Sequence, residues 1–338
     1  METSTQTTDP AAESLAAEVR SFIESCSADP GVGARPVNPG HRVPFHWPPH
    51  PISYRYHLHP TDWRGKAEVT IHGESFDVQV AHTPHGVFGR CDAIWLEAKG
   101  STLEEMLANL AEAAEPLFER QETVARTLGR ERRFTGHIRD LSNGDLLRLL
   151  FCPDRDVSHE ASTVIELRAS QTVFLPALLE ILRDERHPYR RAAQWAVLDL
   201  FEDLASFCRT KADEQAAVSA IRDLLWNAPD DYARAAFKAG VVLGGHMSAE
   251  VGGPVLLECL GAPSAIGRRS AIHGLFHVVE WDPGSRGAVV TALRKQADSD
   301  PEPALREYAA QMAKDIASGG VDHVAEPALP GEDGWSAD

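Results

Sequence analysis

The spacing of apolar residues changes once along the chain, and this change predicts two kinds of structure. From about residue 51 to residue 98 apolar side chains alternate with polar ones, as Val69 and Ile71 do. A period of two is typical of strands that bury one face. Turn-forming residues separate four such runs, at 54–58, 69–71, 76–80 and 93–98. The alternation therefore predicts a small antiparallel β-meander.

A helical period begins just after Gly100. Ser101 is the predicted N-cap, and Glu104 three residues later would complete a capping box. Apolar residues then recur every three or four positions to about Leu128, which predicts an amphipathic helix; they are Leu103, Leu107, Leu110, Ala114 and Leu117. We expect residues 51–136 to form a small α+β module with the element order β-β-β-β-α.

The joint between the last strand and this helix resembles that of HicB-like antitoxin domains. A glycine is followed by a threonine-led helix with a Glu-Glu-Ala-x-x-Asn pattern, represented by Gly100, Thr102, Glu104, Glu105 and Asn109. Met106 stands where that family usually has alanine. The resemblance covers residues 66–118. It implies a degenerate ribonuclease-H-like sheet with one helix, and a role in gripping a small toxin rather than in catalysis.

Residues 137–318 carry a repeat. Five segments superpose on a small residue near the start of a helix, at spacings of 32, 43, 35 and 38 residues: Ala161, Ala193, Ala236, Ala271 and Ala309. A leucine-rich helical run and a polar or proline-bearing turn precede each alanine. One helix pair cannot bury its apolar stripe alone, whereas stacked pairs can. The pattern predicts an all-α solenoid of about five helix pairs, and it is similar to HEAT-type repeats, including the phycobilisome-lyase-like kind.

The two ends of the chain have less pattern. Residues 1–50 include a possible helix at 11–25, and seven prolines lie between residues 29 and 51. Proline excludes helix and favours extended backbone, so this segment is predicted to be disordered or strap-like. Residues 319–338 are rich in glycine, proline and acids and lack periodicity. They are predicted to form a disordered acidic tail.

Charge and cysteine content restrict the partners. The 338 residues include 50 acids and 33 Lys plus Arg, giving a net charge of −17. Because affinity for nucleic acids and anionic membranes depends on basic residues, neither is expected as the main partner. The five cysteines form no Cys-x-x-Cys pair, which is typical of reduced thiols, and no run of about 20 apolar residues occurs. We therefore expect a cytoplasmic protein. Arginine outnumbers lysine, which is common in proteins encoded by high-GC bacterial genomes.

One helical face carries the sharpest candidate chemistry. His273, His277 and Glu280 occur at positions i, i+4 and i+7, so they lie along one side of a helix. Such a spacing could supply three ligands to a transition metal, which would make the chain a metal-dependent or lyase-like enzyme. The same residues could instead form a polar contact surface, or pack within the fold.

Arginine recurs at one point of three repeats, as Arg191, Arg234 and Arg269. These side chains could bind a carboxylate of the neighbouring repeat, or they could form a row that faces a phosphate or an acidic peptide.

No Gly-x-Ser-x-Gly motif and no phosphate-binding glycine loop occurs, and no cofactor is predicted. The favoured hypothesis is a non-catalytic scaffold or regulatory protein that binds another protein through the solenoid. Its binding residues would be Arg191, Arg234, Arg269, His273, His277 and Glu280.

Overall fold

The chain forms two compact units, here called the sheet unit and the helical unit. The computed structural model describes residues 9–27, 58, 63–228, 233–319 and 324–329. Of these, residues 58, 63–142 and 152–157 belong to the sheet unit, and the others belong to the helical unit. A four-stranded antiparallel sheet and a larger share of helix make the class α+β, which confirms that part of the expectation.

Four strands and one long helix build the sheet unit. The strands are β1 (Gly65–Ile71), β2 (Glu74–Thr83), β3 (Gly86–Cys91) and β4 (Leu96–Gly100), and they pair in chain order. The helix α2 (Leu103–Thr127) follows and packs on β1, β3 and β4. The sheet and its helix therefore follow the expected order, with different strand boundaries.

The sequence pattern missed β3 and placed one strand wrongly. In β3 the consecutive residues Val87, Phe88 and Gly89 are all buried, so the alternation that marks a strand is lost. Residues 93–95 form a turn rather than the start of a strand, with Trp95 at a φ of 55°. The predicted run at 54–58 lies outside the described residues except for Leu58, which is not in a strand.

The N-terminus of α2 is capped one residue later than predicted. Thr102, not Ser101, is the N-cap, and its hydroxyl accepts a hydrogen bond from the Glu105 amide. The Glu105 carboxylate in turn accepts from the Ser101 amide at 2.7 Å. This register exposes Leu103 and buries Met106 over Gly89, where an added methyl group would lie 2.0 Å from the Met106 sulfur.

Helices make up the helical unit, in which all five aligned alanines are buried. They lie in the second member of successive helix pairs, separated by short turns. The helices are α1 (Pro10–Ser27), α3 (Asn143–Leu149), α4 (Arg155–Arg168), α5 (Leu175–Leu182), α6 (Arg190–Leu200), α7 (Leu204–Phe207), α8 (Lys211–Trp226), α9 (Ala233–Val241), α10 (Ala249–Cys259), α11 (Ala265–Trp281), α12 (Arg286–Ser299) and α13 (Pro303–Ser318).

The contacts between these helices follow the order of the helices along the sequence. Four of the five helices that carry the aligned alanines contact one another in order, α6 with α9, α9 with α11, and α11 with α13. The helices that precede them also contact in order, α5 with α8 and α8 with α10. From α5 to α13, each helix pair therefore contacts the pair before it through at least one helix.

Both ends of the chain contribute to the helical unit. The predicted helix near the N-terminus is confirmed as α1, which packs on α3 and α5 through Ala16, Val19 and Ile23. Those residues are a folded part of the unit because their apolar stripe is buried; the expected strap at 28–50 lies outside the described residues. Residues 324–329 lie against the helical unit, since Leu329 is buried and Glu326 pairs with Arg269; the rest of the predicted tail after Gly319 lies outside the described residues.

Glycines bring α9 and α11 unusually close. A methyl group on Gly244 would lie 2.0 Å from the carbonyl oxygen of Gly274, and one on Gly274 would lie 2.5 Å from that of Gly240. The backbones therefore meet where only hydrogen atoms fit between them. At the end of α9 the helix widens into a π-helical turn at Val242–His246. This close crossing positions the candidate site on α11.

Candidate functional site on helix α11

The two histidines of α11 face each other. The Nε2 atoms of His273 and His277 lie 3.2 Å apart, and Nδ1 of His277 lies 2.7 Å from the Glu280 carboxylate. Glu280 and His273 therefore contact opposite edges of the His277 ring. Three side chains so placed do not converge on one point, and the three-ligand metal site stays a prediction from the sequence. Within the described ranges, no group of three or more His, Cys, Asp or Glu side chains could hold a metal ion.

A carboxylate from the C-terminal segment lies behind these histidines. Glu326 lies 3.4 Å from Nε of Arg269 and 3.6 Å from Nδ1 of His273. Arg269 also donates a hydrogen bond from Nη1 to the carbonyl oxygen of Pro327 at 2.8 Å. The Arg269 side chain is only 1 % exposed, so it is buried and contacts the C-terminal segment rather than solvent.

Tyr308 of α13 completes the group that we call the Glu326 cluster: Arg269, His273, Tyr308 and Glu326. The tyrosine is buried, and burial together with the negative charge of Glu326 raises the pKa of its hydroxyl. The hydroxyl therefore stays protonated and can only donate to a nearby carboxylate.

The contacts link the tautomers of the two histidines. If Nδ1 of His277 donates to Glu280, Nε2 of His277 accepts from Nε2 of His273, because two imidazoles at this distance share one proton. Nδ1 of His273 lies 3.6 Å from the Glu326 carboxylate.

An exposed surface continues from α11 across α9 to α6. Trp281 at the end of α11 is 73 % exposed, and it lies with His277 beside Gly245 of the π-helical turn. The next residue, His246, lies 3.8 Å from Glu202. On α6 the ring of Trp195 lies 5.7 Å from the Arg234 guanidinium. We call this the α6–α9–α11 surface.

Lys238 links the two acids at the centre of this surface. Its ammonium group lies 2.7 Å from Asp199 and also contacts Glu202. Burial lowers the pKa of Lys238, but its hydrogen bonds with Asp199 and Glu202 outweigh burial and leave the pKa raised. The lysine is therefore charged at any physiological pH, and it fixes the acids beside Trp195.

The remaining predicted arginines lie in two different places. Arg234 is exposed on α9 and belongs to the α6–α9–α11 surface. Arg191 is half-buried in a cleft lined by α5, α6 and α8, with Asp184 and Asp223 on its walls, and it contacts the side-chain oxygen of Gln194 at 3.4 Å. The structure thus separates Arg191 from the residues of α11.

The carboxylate partnership expected for an arginine ladder occurs at Arg268, next to Arg269. Arg268 binds the buried Asp300 through two nitrogens, at 2.9 and 3.1 Å. It also donates to the carbonyl oxygens of Ala262 and Pro263. One of the two adjacent arginines therefore joins the turn before α11 to the end of α12, and the other binds the C-terminal segment.

Sequence reasoning missed Trp281, Tyr308 and Glu326. Trp281 carried a usable signal, since a tryptophan follows the polar face of α11 directly. Glu326 carried none, because it lies in an aperiodic segment.

No family model, no curated protein and no solved structure matches the chain. The similarities to HEAT-type repeats and to HicB-like domains therefore stay predictions from the sequence. In the part of the chain that the structure describes, no helix has both the length and the apolar character needed to cross a bilayer.

Proposed function

We propose that the chain binds another protein, that its helical unit is an α-solenoid of five helix pairs, and that the α6–α9–α11 surface forms the contact. The ordered contacts of successive helices support the solenoid, because each pair covers the apolar face of its neighbour. Repeat arrays commonly present such surfaces to protein partners. The sheet unit would supply a second contact, as its similarity to HicB-like domains suggests.

The observation that carries this proposal is the exposure of Trp281. Truncation of a tryptophan at a protein interface often costs more than 2 kcal/mol of binding free energy, since its large ring excludes water. A single exposed apolar residue is ordinary, but Trp281 shares its surface with Trp195, Arg234 and the Lys238 ion pairs. Aromatic rings among paired charges are typical of a protein interface rather than of a nucleic-acid interface, which needs excess basic charge.

A pair of matched variants tests the proposal. Leu167 on α4 is 75 % exposed, almost the same as Trp281 at 73 %. The tagged full chain and its Trp281→Ala and Leu167→Ala variants would be purified from the native host, and co-purifying proteins would be quantified by mass spectrometry. We expect Trp281→Ala to lower the recovery of one specific protein at least tenfold, and Leu167→Ala to leave it unchanged. Equal recovery with all three chains would refute this surface.

A further inference from the structure

Three contacts anchor the C-terminal segment, residues 324–329, to the helical unit. The Glu326 side chain, which is 10 % exposed, pairs with Arg269 and His273. The Pro327 carbonyl accepts a hydrogen bond from the same arginine, and Leu329 is buried. One arginine therefore binds a side-chain carboxylate and a backbone carbonyl of one extended segment. That combination of a specific and a general contact is the chemistry of peptide recognition.

The ion pair of Arg268 with Asp300 can be compared with the ion pair of Arg269 with Glu326. Their two hydrogen bonds measure 2.9 and 3.1 Å, close to the roughly 2.7–2.9 Å typical of a charge-assisted bond. Glu326 lies 3.4 Å from Nε of Arg269 and 3.6 Å from Nδ1 of His273. The Arg268–Asp300 pair is thus bidentate, and the Nε contact of Arg269 with Glu326 is longer than either of its two bonds.

The pocket also offers a donor that Glu326 does not use. The hydroxyl of Tyr308 is buried and has no hydrogen-bond partner among the described residues. Leaving such a group unsatisfied costs about 1–3 kcal/mol. A carboxylate that accepted from Tyr308 as well as from Arg269 would be held more tightly than Glu326 is.

The anchored segment is also easy to detach. It contains no helix or strand, and α13 ends before it at Gly319 in a left-handed conformation. Short segments without regular structure are usually the first parts of a protein to open. The pocket could therefore exchange its occupant while the helices stay in place.

We propose that Arg269, His273 and Tyr308 form a docking site for a partner protein's extended segment in which a glutamate precedes a proline. Residues 324–329 show what fits the site, and they occupy it until the partner segment displaces them. Arg269, His273 and Trp281 lie along one stripe of α11, with His277 between His273 and Trp281. The docking site and the α6–α9–α11 surface are tested by different variants, so each proposal can fail without the other.

Peptide binding to the full chain tests this docking site. The probe is a fluorescein-labelled synthetic peptide with the sequence of residues 322–331, measured by fluorescence anisotropy. The chain's own segment competes at an effective concentration in the millimolar range, so the wild-type chain should bind the probe weakly. Glu326→Gln weakens the internal contact, and we expect it to raise affinity for the probe at least tenfold.

Three comparisons make the result specific. A probe with glutamine in place of glutamate should bind the Glu326→Gln chain at least tenfold more weakly than the original probe. Glu307→Gln removes an exposed acid from α13, and this control should behave like the wild-type chain. Leu329→Ser removes a different anchor and should also raise affinity for the probe, so the test does not rest on one variant.

Several results would overturn the docking site. One is equal affinity of the wild-type, Glu326→Gln and Leu329→Ser chains for the probe, with circular dichroism showing that all three are folded. Equal binding of the glutamate and glutamine probes is another. A wild-type dimer that forms with rising concentration and that Glu326→Gln abolishes would mean that the segment exchanges between copies of this chain, which would overturn a foreign partner.

Discussion

Acid should destabilise the helical unit through one buried histidine, His187. It precedes α6 and is only 4 % exposed, with its ring centroid 4.3 Å from that of Phe151 and 5.5 Å from that of Phe22. Its Nδ1 accepts a hydrogen bond from the Tyr189 amide at 3.1 Å. Both features favour the neutral ring, since charging it would place an ion among aromatic groups and remove the acceptor.

Burial lowers the pKa of His187 from 6.5 to about 4, although the charge of Asp184 partly opposes the shift. The unfolded chain therefore binds a proton at a higher pH than the folded chain does, and stability falls as pH decreases. Above pH 6.5 the effect is absent. Between the unfolded and folded pKa values it grows, to about 2 kcal/mol at pH 5 and about 3 kcal/mol near pH 4.

Urea unfolding followed by circular dichroism at pH 7.5 and pH 5.0 measures this effect. His187→Asn keeps an acceptor near Nδ1 but does not titrate, so its loss of stability between the two pH values should be about 2 kcal/mol smaller than that of the wild type. His159→Asn, at an exposed position of α4, should keep the wild-type dependence. If His187→Asn and the wild type lose the same stability, the assignment to His187 is wrong.

Three further tests use substitutions in the helical unit. Ala236→Glu places an unpaired charge at a fully buried position, and we expect it to cost several kcal/mol in the helical unit while calorimetry still shows the transition of the sheet unit; a single transition for both would contradict their independence. Gly244→Ala forces a methyl group to 2.0 Å from a carbonyl oxygen and should lower the free energy of unfolding by about 1–3 kcal/mol or more, whereas Gly287→Ala, in α12 with nothing nearby, should change it by less than about 1 kcal/mol. Arg268→Gln and Asp300→Asn should each cost about 3–5 kcal/mol, and the double variant should cost clearly less than their sum; additive costs would show that the two side chains do not act as a pair.

The sequence determined the features that depend on local spacing. The change of period after Gly100, the helix near the N-terminus and the five buried alanines could all be predicted, because a strand or helix repeats its buried positions at a fixed interval. Where burial did not alternate, as in β3, the same reasoning failed. The N-cap of α2 also differed by one residue, since Ser101 and Thr102 carry the same capping group and only packing of Met106 over Gly89 selects the register.

Tertiary structure decided the candidate sites, because they depend on residues far apart in the chain. Arg269 and Pro327 are separated by 58 positions, and no local pattern indicates that they meet. Sequence placed His273, His277 and Glu280 on one face of α11, but spacing along a helix does not state which edge of each ring faces which neighbour. The structure places Glu280 at Nδ1 of His277 and His273 at Nε2, which are opposite edges of one ring. The recurring arginines also differ in burial, which their spacing in the sequence does not indicate. Arg269 on α11 is buried, whereas Arg234 on α9 is exposed.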